Sequence, residues 1–524
     1  MKKLDNDEKV VFARKASGLV RQVSGWDALI YNIVFMAPMA VFIYGIWASV
    51  TFPGTILPIT ALMAICLAIV IGLFYAIYSI AMPRSGGDYV WVSRTLHPSI
   101  GFAISFAFFF MIVSLVGTEV PWVMDYALTP IYIITENTTW ASIVADPQFK
   151  FGIAIIYYLI SALIISRGAK ATMRAFWISF TAIMIGVFTF IISCLWAGPT
   201  TFQSNFNQFS GMNYNDVINT AKGLGWPGLN MAATMQGVTF TFINFLGFTS
   251  TAYIAGEIKE VRKSQLLAIC GAVIVFGLLT WGIYQAAYYA MGGDFIGSIS
   301  YLFITGGESY PLSYPPFFNF LFMFITRNVY LLSFMEICWA FMPLAAGLTY
   351  MFIGTRILFA WAFDRVIPTW VSKVDRRYNS PYVALIAVTL VAIFFQYLWL
   401  FTGLMNFFSY LVFGWMIMQI ITGISAMIFP FRRKDIFEAA PSVVKAKAGP
   451  VPILSILGLL NIIISGWLAY ASMGPAFIGE LDMSVFGFTI GLFVTGFIIY
   501  WISSAYHRAK GIPLELSFKE IPPE

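Results

Sequence analysis

Tyr31-Asn32-Ile33-Val34-Phe35-Met36-Ala37-Pro38-Met39 lies inside a run of 55 residues, Ala28 to Met82, that contains no Asp, Glu, Lys or Arg. A helix needs about 20 apolar residues to cross the hydrocarbon of a bilayer, so the run is long enough for two crossings. Thr51-Phe52-Pro53-Gly54 supplies the turn between them. Pro38 then falls midway along the first crossing, where it removes a backbone donor and clashes with the carbonyl four residues back. The stretch reads either as one kinked helix or as two half-helices separated by open backbone. A second interrupted stretch occurs at Phe242-Ile243-Asn244-Phe245-Leu246-Gly247-Phe248-Thr249-Ser250-Thr251, with Asn, Gly and three consecutive hydroxyl residues at membrane depth.

The rest of the chain is of the same kind. Of its 524 residues 60% are hydrophobic and 10% charged, against about 25% charged in an average soluble domain, which excludes a soluble globule. Charge-poor runs predict twelve spans, at 28–50, 55–82, 99–130, 149–166, 174–197, 234–256, 264–291, 328–362, 381–400, 404–430, 451–473 and 483–505. An even number puts both termini on one side. With that count, 27 of the 30 Lys and Arg fall on the side of the termini and only Lys150, Lys222 and Arg327 on the other. Cytoplasmic loops are enriched in these residues, so the expected localisation is the cell membrane, multi-pass, with both termini cytoplasmic. The first 27 residues are polar and contain no apolar segment of a cleavable signal. Two longer outer segments, Pro199 to Met231 and Gly292 to Thr326, read as packed surface loops or, for the second, as a lid. Asn137-Thr138-Thr139 is a glycosylation sequon on the outer side.

The residues for enzymatic chemistry are missing. There are two His, His97 and His507, and four Cys, Cys66, Cys194, Cys270 and Cys338, all four inside apolar stretches where they read as small hydrophobes. Neither a metal constellation nor a nucleophile–base pair can be assembled, and no Gly-rich phosphate loop occurs. The expectation is no enzyme, no cofactor, no bound metal and no nucleic-acid partner. Movement of a solute would have to be driven by gradients. Acidic residues inside spans are costly, about 2.5–3.5 kcal/mol at mid-bilayer, which singles out Glu119 and Asp125 in span 3 and Glu336 in span 8. Glu336 reads as a proton-carrying or amine-binding carboxylate or as a structural hydrogen-bonded one, Asp125 as a solvated interfacial group, and Glu119 lies between the two.

The interrupted spans are the first and the sixth, corresponding positions of two five-helix halves. Paired interruptions of this kind point to an inverted-repeat transporter with discontinuous helices. The expected fold is therefore an all-α integral membrane protein of 12 transmembrane helices. Its organisation is a tail at 1–27, a first repeat at 28–200, an outer loop at 201–233, a second repeat at 234–430, two extra helices at 451–505 and a tail at 506–524. Free N–H groups at one half-helix start and free C=O groups at another half-helix end suit a zwitterion.

Three loop segments resemble those of the amino acid–polyamine–organocation permeases, which have the LeuT-type five-plus-five inverted repeat. They are Pro83-Arg84-Ser85-Gly86-Gly87-Asp88-Tyr89 after span 2, Ala255-Gly256-Glu257-Ile258-Lys259 at the end of span 6, and Thr355-Arg356 followed by Asp364-Arg365-Val366-Ile367-Pro368 and Pro381 after span 8. The resemblance implies a substrate carboxylate at Phe35, Met36, Ala37 and Pro38. It also implies a substrate amine facing Ile243, Asn244 and Phe245, with Leu246 and Gly247 unwound. Asp88, Glu257 and Arg356 become candidates for inner-gate ion pairs. This chain has Met36-Ala37-Pro38 where many members have Gly-x-Gly, and Pro38 suits the first turn of a half-helix. The Lys that some proton-coupled relatives carry in helix 5 is absent between Arg174 and Lys222. Coupling then falls to a proton on Glu336 or Glu119, to Na+ held between helices 1 and 8, or to exchange without an ion. Phe35, Phe245 and Phe248 hint at an apolar side-chain pocket. The functional expectation is a secondary active transporter for amino acids or related amines working by alternating access. The alternative is a membrane amino-acid receptor or sensor that binds without net transport, against which stands the lack of a soluble signalling domain.

Overall fold

A computed structural model describes residues 18–408, 410–474, 479–511 and 514–519. The N-terminal tail before residue 18, with five of its six cations, lies outside the described residues, as do 512–513 and 520–524 of the C-terminal tail. Helices make up nearly all the regular structure, and the strands among the described residues form one hairpin, Lys447–Ala448 paired with Val451–Pro452.

Helix α1 (Gly25–Phe35) starts at a capping box: Asp27 N–H donates to Ser24 Oγ, and Ser24 N–H donates to the Asp27 carboxylate. The chain then opens over residues 36–40 and resumes as α2 (Val41–Thr51). The turn is made by Ala37, which holds a left-handed φ of 53°. Pro38 therefore stands in the turn three residues ahead of α2 and not at a helix's first position, because Ala37 has already reversed the path.

Beyond it come α3 (Leu57–Ala81), the short α4 (Asp88–Thr95), α5 (Pro98–Thr135), α6 (Pro147–Ser166) and α7 (Ala169–Phe209). Around Asp125, α5 widens into a π-turn, Val123–Leu128, directly after Pro121, where the ring deprives the ladder of a donor. α7 runs on through a kink at Gly198-Pro199, so the segment from Pro199 to Met231 is largely helical and not the loop that its composition suggests.

The sixth span begins as α8 (Met231–Phe245), capped by Asn230. It does not open into coil at Leu246 and Gly247. It tightens into a 3-10 helix over Leu246–Tyr253, because hydroxyls and amides there bond the backbone in place of the α ladder. Ser250 Oγ donates to the Gly247 carbonyl (2.6 Å) and Thr251 N–H donates to Asn32 Oδ1 (3.1 Å).

The remaining helices are α9 (Val261–Met291), α10 (Gly293–Thr305), α11 (Phe318–Ile325), α12 (Val329–Phe363), α13 (Tyr382–Phe401), α14 (Leu411–Arg432), α15 (Ile453–Ser472) and α16 (Met483–Ala509). All eight residues of α11 are buried, and Phe318 meets the rings of Phe42, Phe190 and Tyr284. The segment from Gly292 to Thr326 is thus packed into the bundle. α14 and α15 touch backbone to backbone at Gly423 and Gly458, where a Cβ on Gly458 would come within 2.7 Å of the Gly423 carbonyl oxygen. Ten helices among the described residues are long and apolar enough to cross a membrane. Neither the first nor the sixth predicted span is among them, since each is interrupted.

Candidate substrate site

The two interruptions touch. A Cβ on Gly247 would lie 2.8 Å from both Phe35 C and Met36 N, so only glycine lets the 3-10 turn rest against the end of α1. One turn away the contact becomes polar, with Asn32 Nδ2 donating to Thr251 Oγ1 (3.2 Å) and to the Ala268 carbonyl (2.9 Å). Gln265 completes this buried cluster, accepting from Thr251 Oγ1 (2.8 Å) and donating to the Thr251 carbonyl (3.1 Å). On the other side of the gap, Trp339 of α12 donates its indole N–H to the Met39 carbonyl (3.2 Å).

Beside this contact lies a cavity of about 430 Å³. Phe35, Met36 and Ala37 line it from the first span, and Ile243, Asn244, Leu246 and Gly247 from the sixth. Pro38 and Phe245 do not. Phe245 is fully buried behind the wall, edge-on to Phe276 with ring centroids 4.9 Å apart. Phe248 is buried too and does not line the cavity. Asn244 Nδ2 is a buried donor without a partner among the described residues, on a residue that lines the cavity. The opposite wall comes from residues that the sequence did not single out: Tyr44, Ser114, Thr118, Trp122, Tyr350 and Trp415. Only their nearness to Glu119 in span 3 could have hinted at Thr118 and Trp122. Asn406 and Phe408, beyond the end of α13, extend the lining toward that end of the bundle.

The three membrane carboxylates separate. Glu119 lines the cavity and accepts from Thr118 Oγ1 (3.2 Å). Glu336 does not line it; it is fully buried, and neither of its oxygens has a hydrogen-bond partner among the described residues. Asn319 of α11 lies beside it, with its own Oδ1 also unpartnered and its Nδ2 donating to the Tyr126 carbonyl (2.6 Å). Asp125 pairs with Lys150 at 2.6 Å on a half-exposed surface.

At the opposite end of the bundle, Arg356 grips Glu257 with two bonds, Nε to Oε1 at 2.9 Å and Nη2 to Oε2 at 3.1 Å, both side chains fully buried. The Glu257 carbonyl accepts from the N–H groups of Gln22 and Val23, which ties the segment just ahead of α1 to the same point. A second buried pair, Arg94–Asp364 at 2.7 Å, was not anticipated from the sequence. Asp88 joins neither pair. Its carboxylate accepts from the hydroxyls of Tyr75, Tyr253 and Thr422, each at 2.7 Å, so three neutral donors replace the cation expected for it. Burial pushes this carboxyl above its ordinary range, and the three hydroxyls oppose the rise.

A helical bundle of bilayer-length apolar segments, with a cavity where two of its helices are interrupted, defines a polytopic membrane protein with a candidate site between those helices. Residues 28–494 match the family model described as Amino acid permease, and the chain belongs to that family, within the amino acid–polyamine–organocation permeases. It is 24% identical over 370 residues to the glutamate/serine transporter AimA of Bacillus subtilis (strain 168), covering 69% of this chain and 62% of that protein, less than two thirds of its length. Identity to the branched-chain amino acid permease BcaP of Lactococcus lactis subsp. cremoris (strain MG1363) is 24% over 349 residues, 65% of this chain and 67% of the relative. The aspartate-proton symporter of Bacillus subtilis (strain 168) is 21% identical over 460 residues, 86% of this chain and 78% of its own.

Proposed function

We propose that this protein is a secondary active transporter that carries amino acids or related amines across the cell membrane by alternating access. The observation that carries the reading is the meeting of two interrupted helices at one cavity. Helix ends at membrane depth leave N–H and C=O groups that the helix itself does not satisfy, and in lipid such groups need a partner. The positive start of α2 offers its free N–H groups to the carboxylate of a zwitterion, and the sixth span stands across from it at the same cavity. In this reading the interrupted segments bring the crossings to twelve, in two five-helix repeats of opposite orientation followed by α15 and α16. Both termini are cytoplasmic, and the cavity faces outward while Arg356–Glu257 holds the inner side shut.

Phe35, Met36, Ala37, Ile243, Asn244, Leu246 and Gly247 form the substrate wall, with Pro38 and Phe245 shaping it from behind. The relatives are named for glutamate and serine, for branched-chain amino acids and for aspartate, which supports amino acids as the substrate class. Glu336 is the favoured proton carrier, since a fully buried carboxylate with no cation paired to it among the described residues has most to gain from binding a proton.

Uptake of a panel of labelled amino acids and amines into proteoliposomes, with and without imposed proton or sodium gradients, tests the proposal. Gradient-driven accumulation of at least one substrate is expected. Binding without accumulation under any gradient would replace the transporter with a sensor.

A further inference from the structure

Among the described residues that line the cavity, Glu119 is the single acid, and no Lys, Arg or His stands with it. Its one hydrogen-bond donor among the described residues is the Thr118 hydroxyl, and the ion pairs of the described residues do not include it. The titratable groups facing it from neighbouring helices are the phenols of Tyr44, Tyr157, Tyr158 and Tyr350, all neutral at physiological pH. Gly347 of α12 leaves room for it, since a Cβ there would meet Glu119 Cγ at 3.1 Å. Aromatic rings stand on the same walls, among them Tyr44, 6.2 Å from Trp122, and Phe35, edge-on to Tyr350 at 5.2 Å. A carboxylate without a counter-ion among aromatic faces is the chemistry that recognises an ammonium group joined to an apolar body.

We infer that Glu119 receives the ammonium group of the substrate and that the cavity selects neutral or cationic amino acids and amines while rejecting acidic ones. The inference rests on the cavity being the substrate site. It runs against the printed names of two relatives, which transport glutamate or aspartate. An acidic side chain entering here meets another carboxyl group and no basic residue among the described lining side chains, so its desolvation is uncompensated.

The test is ligand-induced thermal stabilisation of the detergent-solubilised full chain, run beside proteoliposome uptake. Phenylalanine, lysine and phenethylamine are compared with 3-phenylpropionate, glutamate and aspartate. The ammonium-bearing neutral and cationic ligands should bind at least 100-fold more tightly than the other three. Glu119→Gln should erase that preference, and Glu119→Asp should keep part of it. If Glu119→Gln fails to fold, the ligand series on the unmodified chain decides alone. Glutamate or aspartate as the tightest ligand, or an unchanged preference in a folded Glu119→Gln, overturns the inference while leaving transport intact. Glu119-dependent binding without any uptake upholds the inference and overturns the transporter reading.

Discussion

Asn32 and Thr251, 219 residues apart, hold each other reciprocally: the side-chain amide of Asn32 donates to the Thr251 hydroxyl, and the Thr251 N–H donates to the side-chain oxygen Oδ1 of Asn32. The first and sixth spans are thereby joined at the level where the sixth leaves α-helical geometry. Replacing Asn32 by Ala strands the Thr251 N–H and removes the donor to the Ala268 carbonyl, in a site with no exposure to water. Orphaned groups of this kind cost about 1–3 kcal/mol each. Asn32→Ala should lower the melting temperature in detergent clearly more than Thr251→Val, which keeps the backbone N–H. Equal losses would mean that the side-chain oxygen of Thr251, and not the Asn32 amide, carries the junction.

Gly247 gives the sharpest steric prediction. In a helix interior Ala is normally favoured over Gly by about 0.5–1 kcal/mol, but here the added methyl would sit 2.8 Å from two backbone atoms of the neighbouring span. Backbone cannot swing aside as a side-chain tip can. Gly247→Ala should therefore destabilise the protein and raise the KM for uptake at least tenfold, whereas Gly487→Ala, with open space around it, should leave both unchanged. An unaltered KM for Gly247→Ala would separate the helix contact from the substrate site.

Much of this arrangement could be read from composition and punctuation. Uncharged runs gave most of the long helices to within a few residues, the exception being α7, which runs on past its expected end at 197 to Phe209, and Pro38 and Gly247 marked both interruptions. What escaped was the form of the second one, because whether Ser250 and Thr251 bond the backbone or a neighbour depends on Asn32, more than 200 positions away. Asp88 escaped for the same reason. A carboxylate in a loop motif reads as half of an ion pair, and only the packing of Tyr75, Tyr253 and Thr422 around it supplies neutral donors. The far wall of the cavity was silent too, since Tyr44, Trp122 and Tyr350 are three aromatics in a chain that is 18% aromatic.

Ala37 carries strain that the sequence half-disclosed. A left-handed φ of 53° brings Cβ too close to the carbonyl for any residue but glycine, at about 1–2 kcal/mol. Ala37→Gly should thus raise the melting temperature, or leave it unchanged where the greater freedom of the unfolded glycine offsets the relief. Ala37→Val should lower it by a margin larger than a surface Ala→Val. A Val variant as stable as the parent would place the turn in a different backbone conformation.

The proposed alternating access makes the Arg356–Glu257 pair a lock on the inner side, and that role can be tested. Removing one partner from a buried pair leaves an uncompensated charge and costs about 3–5 kcal/mol, and here both side chains are sealed, with the guanidinium lying 3.7 Å from the centre of the Phe352 ring. That cost falls on the conformation in which the pair is formed, so an alternative in which the surviving group reaches water becomes relatively favoured. Ala360 packs against Gly86 on this side and makes a suitable reporter when replaced by cysteine. Arg356→Ala should increase maleimide labelling of Ala360→Cys severalfold while slowing uptake, because the shut state of the proposed cycle is then too rarely visited. Glu257→Gln should do so less strongly, since a neutral amide still accepts from the guanidinium. Labelling that stays at the parent level in a folded Arg356→Ala protein would show that Arg94–Asp364 and the hydroxyls around Asp88 keep this end closed without it.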